Sequence, residues 1–180
     1  MRFVYGKQEM RSLSRSQESC FLLTNGLGGY ASLTAAYSAN RCDQGVLIAA
    51  QKAPGERVTL VHRLRETLTV DGKPYWLSTQ QFADGTQPED GFRNLSFFAF
   101  ENIPHWRYHI GGVRVTRTMA MTYGQNTTAV IYKVENQSNA ACSLTVDPFV
   151  KFGPKETAIK AAPNISFSQG KVMGDKYTLH

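Results

Sequence analysis

From Cys20 onward the chain is built of short segments that alternate apolar and polar residues and end in Gly, Asp-Gly or Pro. Apolar residues spaced three and four apart are almost absent, so amphipathic helices have little to be made from. Period-two alternation with frequent turn residues specifies antiparallel strands and argues against the βαβ units of a parallel sheet. The expected fold is all-β, an antiparallel β-sandwich of about 10–12 short strands. These run over Cys20–Thr24, Gly45–Ala50, Arg57–His62, Glu66–Val70, Lys73–Ser78, Leu95–Glu101, His105–Ile110, Val113–Thr118, Thr127–Glu135, Cys142–Val150, Ile165–Ser168 and Lys171–Thr178.

Two hairpins follow from turn chemistry. Asp71-Gly72 and Gly111-Gly112 tolerate the positive φ angles of two-residue hairpin turns. The first joins Leu68 and Val70 to Tyr75. The second pairs Ile110 with Val113 and Tyr108 with Val115, which sets Trp106, Tyr108 and Ile110 on one face and Arg107 and His109 on the other. Gln80–Asn94 is poor in β-branched residues and reads as a long surface loop, a candidate contact region. Glu89-Asp90 within it is read as solvated charge.

A chain of 180 residues is long enough to bury roughly 70% of its unfolded surface in one core. The expected organisation is an N-terminal extension over residues 1–17 and one β-sandwich domain over residues 18–180. The formal charge of +6 is dispersed, with no run of five basic residues, so neither nucleic acid nor another polyanion is an expected partner. Cys20, Cys42 and Cys142 are too far apart and too few for a disulfide framework or a paired-cysteine metal site. Reduced thiols in a cytoplasmic protein are the expectation. No apolar stretch approaches the roughly 20 residues that cross a bilayer, and Met1–Arg15 lacks the apolar run of a secretion signal.

Candidate chemistry is sparse. Glycoside hydrolysis needs two carboxylates facing each other across a sugar, and no spacing nominates such a pair; no nucleophile motif is present either. His105 and His109 on a strand lie about 13 Å apart, too far for one metal ion, and no metal or cofactor is expected. The sharpest local feature is Thr24-Asn25-Gly26-Leu27-Gly28-Gly29-Tyr30-Ala31-Ser32. Its glycines do not have the spacing of a phosphate-binding loop. It reads either as a structural tight turn or bulge, or as a loop that brings the Asn25 amide and the Tyr30 ring to a ligand. Aromatic rings beside polar groups suit the apolar face and hydroxyls of a pyranose, and Trp106 is a candidate platform of this kind.

Several stretches taken in order resemble the N-terminal domain of bacterial and archaeal glycogen-debranching enzymes, the amylo-α-1,6-glucosidase type. Phe21–Ser32 is similar to the family's opening segment, with its NGLGGYAS-like turn. Ala39-Asn40-Arg41 with Gly45–Ala50, Leu64–Leu68, Leu77–Thr79, Pro88–Phe92, Asn126–Val130 and Pro148–Val150 continue the likeness. The resemblance implies a supersandwich-like domain placed before an (α/α)6-barrel that carries the catalytic carboxylates of the glycoside hydrolase. No segment here has the helical length for that barrel. It implies a non-catalytic α-glucan-binding or scaffold domain, whose partners would be glycogen or maltooligosaccharide and the C-terminal catalytic domain. Asn25, Tyr30, Arg41 and Trp106 are the nominated substrate contacts. The alternative is a structural or protein-interaction β-sandwich without sugar affinity.

Overall fold

The computed structural model describes residues 3–52, 55–82, 88–157 and 164–180, and within these it is a two-sheet antiparallel sandwich with a small third sheet on one outer face. The first sheet has the order β1 (Phe3–Gly6), β9 (Leu95–Phe100), β10 (Pro104–Ile110), β11 (Val113–Met121) and β12 (Thr128–Asn136). The second runs β13 (Cys142–Pro154), β5 (Glu56–Val70), β4 (Gly45–Lys52), β3 (Tyr30–Thr34) and β2 (Cys20–Thr24), with β6 (Lys73–Trp76) also paired to β5. Ile165–Ser168 (β14), Lys171–Gly174 (β15) and Thr178–Leu179 (β16) form the third sheet, and Thr79–Gln80 (β7) pairs with Glu89–Asp90 (β8).

Both expected hairpins form in the expected register. Gly111 and Gly112 take φ of 56° and 79° and pair Ile110 with Val113 and Tyr108 with Val115. Asp71 and Gly72 take φ of 50° and 74° and pair Leu68 with Tyr75. Three segments depart from expectation. Glu56–Val70 is one continuous strand, because the polar stretch His62–Arg65 stays in the ladder, with Arg63, Leu64 and Arg65 opposite Phe149, Pro148 and Asp147. Tyr30–Thr34 is a strand that alternation does not reveal, since Ala31 to Thr34 are buried on both faces, and burial on both sides removes the polar half of the pattern. Residues 3–17, within the expected N-terminal extension, pack on the sandwich: β1 pairs with β9, and a short helix α1 (Leu13–Glu18) is capped by the Ser12 side chain.

The main core lies between the two sheets. Trp106 sits at its centre, edge-on to Phe21 at 5.4 Å and Tyr37 at 5.1 Å, and its indole N–H donates to the Ala35 carbonyl at 2.9 Å. Beside it an ion pair is sealed from solvent: the Arg117 guanidinium bonds the Glu66 carboxylate, and both residues are 0% exposed. Arg117 Nη2 also donates to the Tyr108 hydroxyl at 2.7 Å, Tyr132 donates its hydroxyl proton to Glu66, and Tyr108 donates to the Leu77 carbonyl at 2.9 Å. The guanidinium lies over the Tyr37 ring at 3.2 Å. Burial raises the Glu66 pKa above the ordinary carboxylate value while Arg117 pulls it down. Burial works against the Arg117 charge, and Glu66 together with Tyr108, Tyr37 and Tyr132 more than offsets it, so the guanidinium stays charged.

A second buried pair ties β5 to β8. Glu89, expected as solvated charge, is buried; its Oε2 accepts from Arg63 Nη1 at 2.8 Å and from the Ser78 hydroxyl at 2.7 Å. Of the stretch expected as a long loop, Gln80, Glu89 and Asp90 join the small two-stranded ladder, with Thr79 opposite Asp90. Residues 83–87 lie outside the described part.

Candidate functional site

The glycine-rich turn between β2 and β3 is shaped by Asn25. Gly26 and Gly28 adopt φ of 78° and 91°, a backbone region in which only glycine is unstrained. The Asn25 side-chain oxygen accepts from Leu27 N–H at 2.9 Å, and the Asn25 N–H donates to the Gly29 carbonyl at 3.1 Å. Its amide nitrogen donates outward, to the Gln125 carbonyl and to Asn126 Oδ1, each at 2.9 Å. Asn126 in turn clamps the end of β4: its Oδ1 accepts from Ala50 N–H at 3.2 Å and its Nδ2 donates to the Ala50 carbonyl at 3.1 Å. A Cβ on Gly29 would stand 2.6 Å from both the Asn25 amide nitrogen and Asn126 Oδ1, so this clamp admits no side chain there. Arg57 closes the arrangement by donating from Nε to the Gly28 carbonyl at 2.7 Å.

The clamp borders a cleft of about 520 Å³ between the outer face of the second sheet and the third sheet. Leu47, Ala49, Val58 and Leu60 make an apolar floor, with Tyr177 and Leu179 packed against it. The rim is polar, formed by Gln51, Asn126, Thr127, Thr128, Thr178 and His180. Gln51 Nε2 donates to the Tyr177 hydroxyl at 2.9 Å, which holds that ring at the mouth, and the Thr128 hydroxyl is shielded from solvent without a hydrogen-bond partner. An apolar floor under a ring of amides and hydroxyls suits a small ligand with one greasy face and many hydroxyls. No Asp or Glu lies among the described residues that line the cleft, so the lining lacks the carboxylate pair that glycoside hydrolysis uses.

None of the four nominated residues lines the cleft; Asn25 and Tyr30 lie beside it. Asn25 is buried, and its amide is spent on the clamp; it positions Asn126 at the rim and does not itself face the cleft. Tyr30 lies on the adjoining surface, its hydroxyl donating to the Asp43 carbonyl at 2.8 Å and its ring 5.9 Å from the Arg57 guanidinium. Burial raises the Tyr30 pKa above that of a free phenol, against the pull of Lys155 and Arg57. Arg41 is exposed on the neighbouring turn, where its N–H and that of Asn40 donate to Gln44 Oε1. Trp106 does not reach a surface: it is 0% exposed in the inter-sheet core, and a platform reading for it is corrected by that position. Alternation already placed Trp106 on the face shared with Tyr108 and Ile110, and that face is the inner one.

The residues that sequence reading missed are Tyr177, Gln51 and Asn126, which meet from three distant segments. Asn126 carried a signal, since it lies in a stretch where the family likeness continues. Tyr123, exposed at 85%, packs its ring against Gly26 and extends the same end of the molecule.

No curated protein and no solved structure gives a significant match to the chain. A family model described as glycogen debranching enzyme N terminal matches residues 20–180, from the first strand of the second sheet through the third sheet and the cleft. With the match running over nearly the whole chain, the protein belongs to the glycogen debranching enzyme N-terminal family.

Proposed function

We propose that this chain is a non-catalytic module that holds α-glucan for a debranching glycoside hydrolase, with hydrolysis of α-1,6 branches performed by a C-terminal catalytic domain that it also braces. The observation that supports the reading is the cleft: an apolar floor under a rim of amides and hydroxyls suits a sugar, and the described residues that line it include no Asp or Glu. The Tyr177 ring offers the stacking surface, Gln51 and Thr178 offer hydrogen-bond partners for hydroxyls, and Tyr30 and Arg41 extend the polar surface beside the clamp.

Isothermal titration and chemical-shift mapping with maltoheptaose test the reading. Millimolar affinity with shifts concentrated at Gln51, Thr178 and Tyr177, lost in Tyr177→Ala, is the expected result. No heat and no shifts at tens of millimolar sugar would leave the module only a bracing role.

A further inference from the structure

Among the described residues the two sheets end on the same side of the sandwich in long strands with no further partner, β12 in the first and β13 in the second. On the opposite side the edges are the short β1 and β2, flanked by the helical segment Glu9–Glu18. Natural sheets blunt their edges with prolines, bulges, charges or brevity. β12 pairs with β11 over nine consecutive positions without a shift and contains no proline, and its charges are one lysine and one glutamate that neutralise each other, Lys133 and Glu135. Ile131 on its outer face is 59% exposed, and Val134, on the face that points between the sheets, is 41% exposed. Val130, Tyr132 and Leu144 are only partly covered although they belong to the main core. The sandwich is open along this side, and the groups that would complete it are backbone N–H and C=O groups at strand spacing, which call for another strand.

We propose that β12 pairs antiparallel with β12 of a second copy of this chain, joining the two first sheets into one. The charge pattern selects both partner and register. Lys133 and Glu135 project from the same outer face, 3.0 Å apart at their closest atoms. A two-fold axis through Val134 sets Lys133 opposite Glu135 of the other copy and Glu135 opposite its Lys133, while the two Val134 side chains meet on the inner face. Moving the axis to Lys133 opposes the two ammonium groups, which is destabilising. The contact is isologous and closes on itself, so it yields a dimer and not a fibre.

Sedimentation velocity of the full chain across micromolar to sub-millimolar concentrations is the test. A concentration-dependent dimer is expected, with Lys133→Glu weakening the dimer constant by about tenfold. The double swap Lys133→Glu/Glu135→Lys should bring it back, because it restores opposite charges across the axis. A melting temperature unchanged in all three proteins establishes that the fold is intact. A monomer at every concentration, a dimer indifferent to Lys133→Glu, or a double swap that fails to recover would each overturn the proposal.

Discussion

Replacing Arg117 by Met should be among the most damaging single changes in this protein, although it puts an apolar side chain into an apolar core. In the native structure the guanidinium neutralises Glu66, bonds Tyr108 and lies over Tyr37 with no exposure to water. Met fills much of the space, so the loss is chiefly electrostatic: the Glu66 carboxylate is left buried, with Tyr132 as its remaining hydroxyl donor. Removing one partner of a buried pair costs about 3–5 kcal/mol, a large part of the roughly 5–15 kcal/mol that holds a domain together. Replacing both members by apolar residues is often near neutral, so Glu66→Leu/Arg117→Met should recover most of the loss. The pH dependence has a definite sign. Burial raises the folded-state pKa of Glu66 above its unfolded value, so its contribution to stability is fullest below the unfolded value and falls as pH rises through the folded one. Without Arg117 to pull it down, that folded value climbs further. The deficit of Arg117→Met relative to the native protein should therefore be widest near pH 8 and shrink toward pH 5. Urea unfolding followed by fluorescence at several pH values, with the double mutant in parallel, measures all of this. A loss under about 1 kcal/mol, or a double mutant no better than the single, would refute the claim that an uncompensated carboxylate is the cause.

Three further perturbations probe other parts of the fold. Trp106→Ala should cost about 3–5 kcal/mol as a core cavity, read as a lowered denaturation midpoint, while any sugar affinity of the folded fraction stays unchanged. Asn25→Ala removes both donations to Gln125 and Asn126 and should cost about 1–3 kcal/mol, with amide shifts at Ala50 and Gln51 reporting the loosened cleft rim. Gly91→Ala would put a Cβ 2.4 Å from the Ser78 carbonyl oxygen, and the forced backbone shift should cost about 1–3 kcal/mol and speed hydrogen exchange at Ser78 and Glu89.

Where one face of a strand meets core and the other meets water, the sequence was readable. The hairpin of β10 and β11 alternates cleanly, and both its turn and its inner face followed from residue type. The strand Tyr30–Thr34 was hidden because Ala31 and Ser32 sit against neighbours on both sides, where small residues fit and alternation has nothing to report. The continuity of β5 was hidden for a different reason: His62–Arg65 looks like a break until Glu89 and Asp147 supply partners for Arg63 and Arg65. Partners brought from 26 and 82 positions away leave no mark in the local pattern. The site was legible only where its residues share a turn. Asn25 and Tyr30 follow from one motif and build the clamp and surface beside the cleft, whereas the cleft itself joins Gln51, Asn126 and Tyr177, which no local spacing connects.

The length of β5 has a consequence for how this protein can change over generations. Its early residues Val58 and Leu60 floor the cleft, and its later residues Glu66, Leu68 and Val70 hold the inter-sheet core. A substitution that reshapes the cleft from this strand is therefore also a test of whether the whole domain still folds. The third sheet carries no such double duty, since β15 and β16 face the cleft and take no part in the main core. Drift in the shape of the cleft should accumulate on that side, at Val172, Tyr177 and Leu179, while the floor opposite stays fixed.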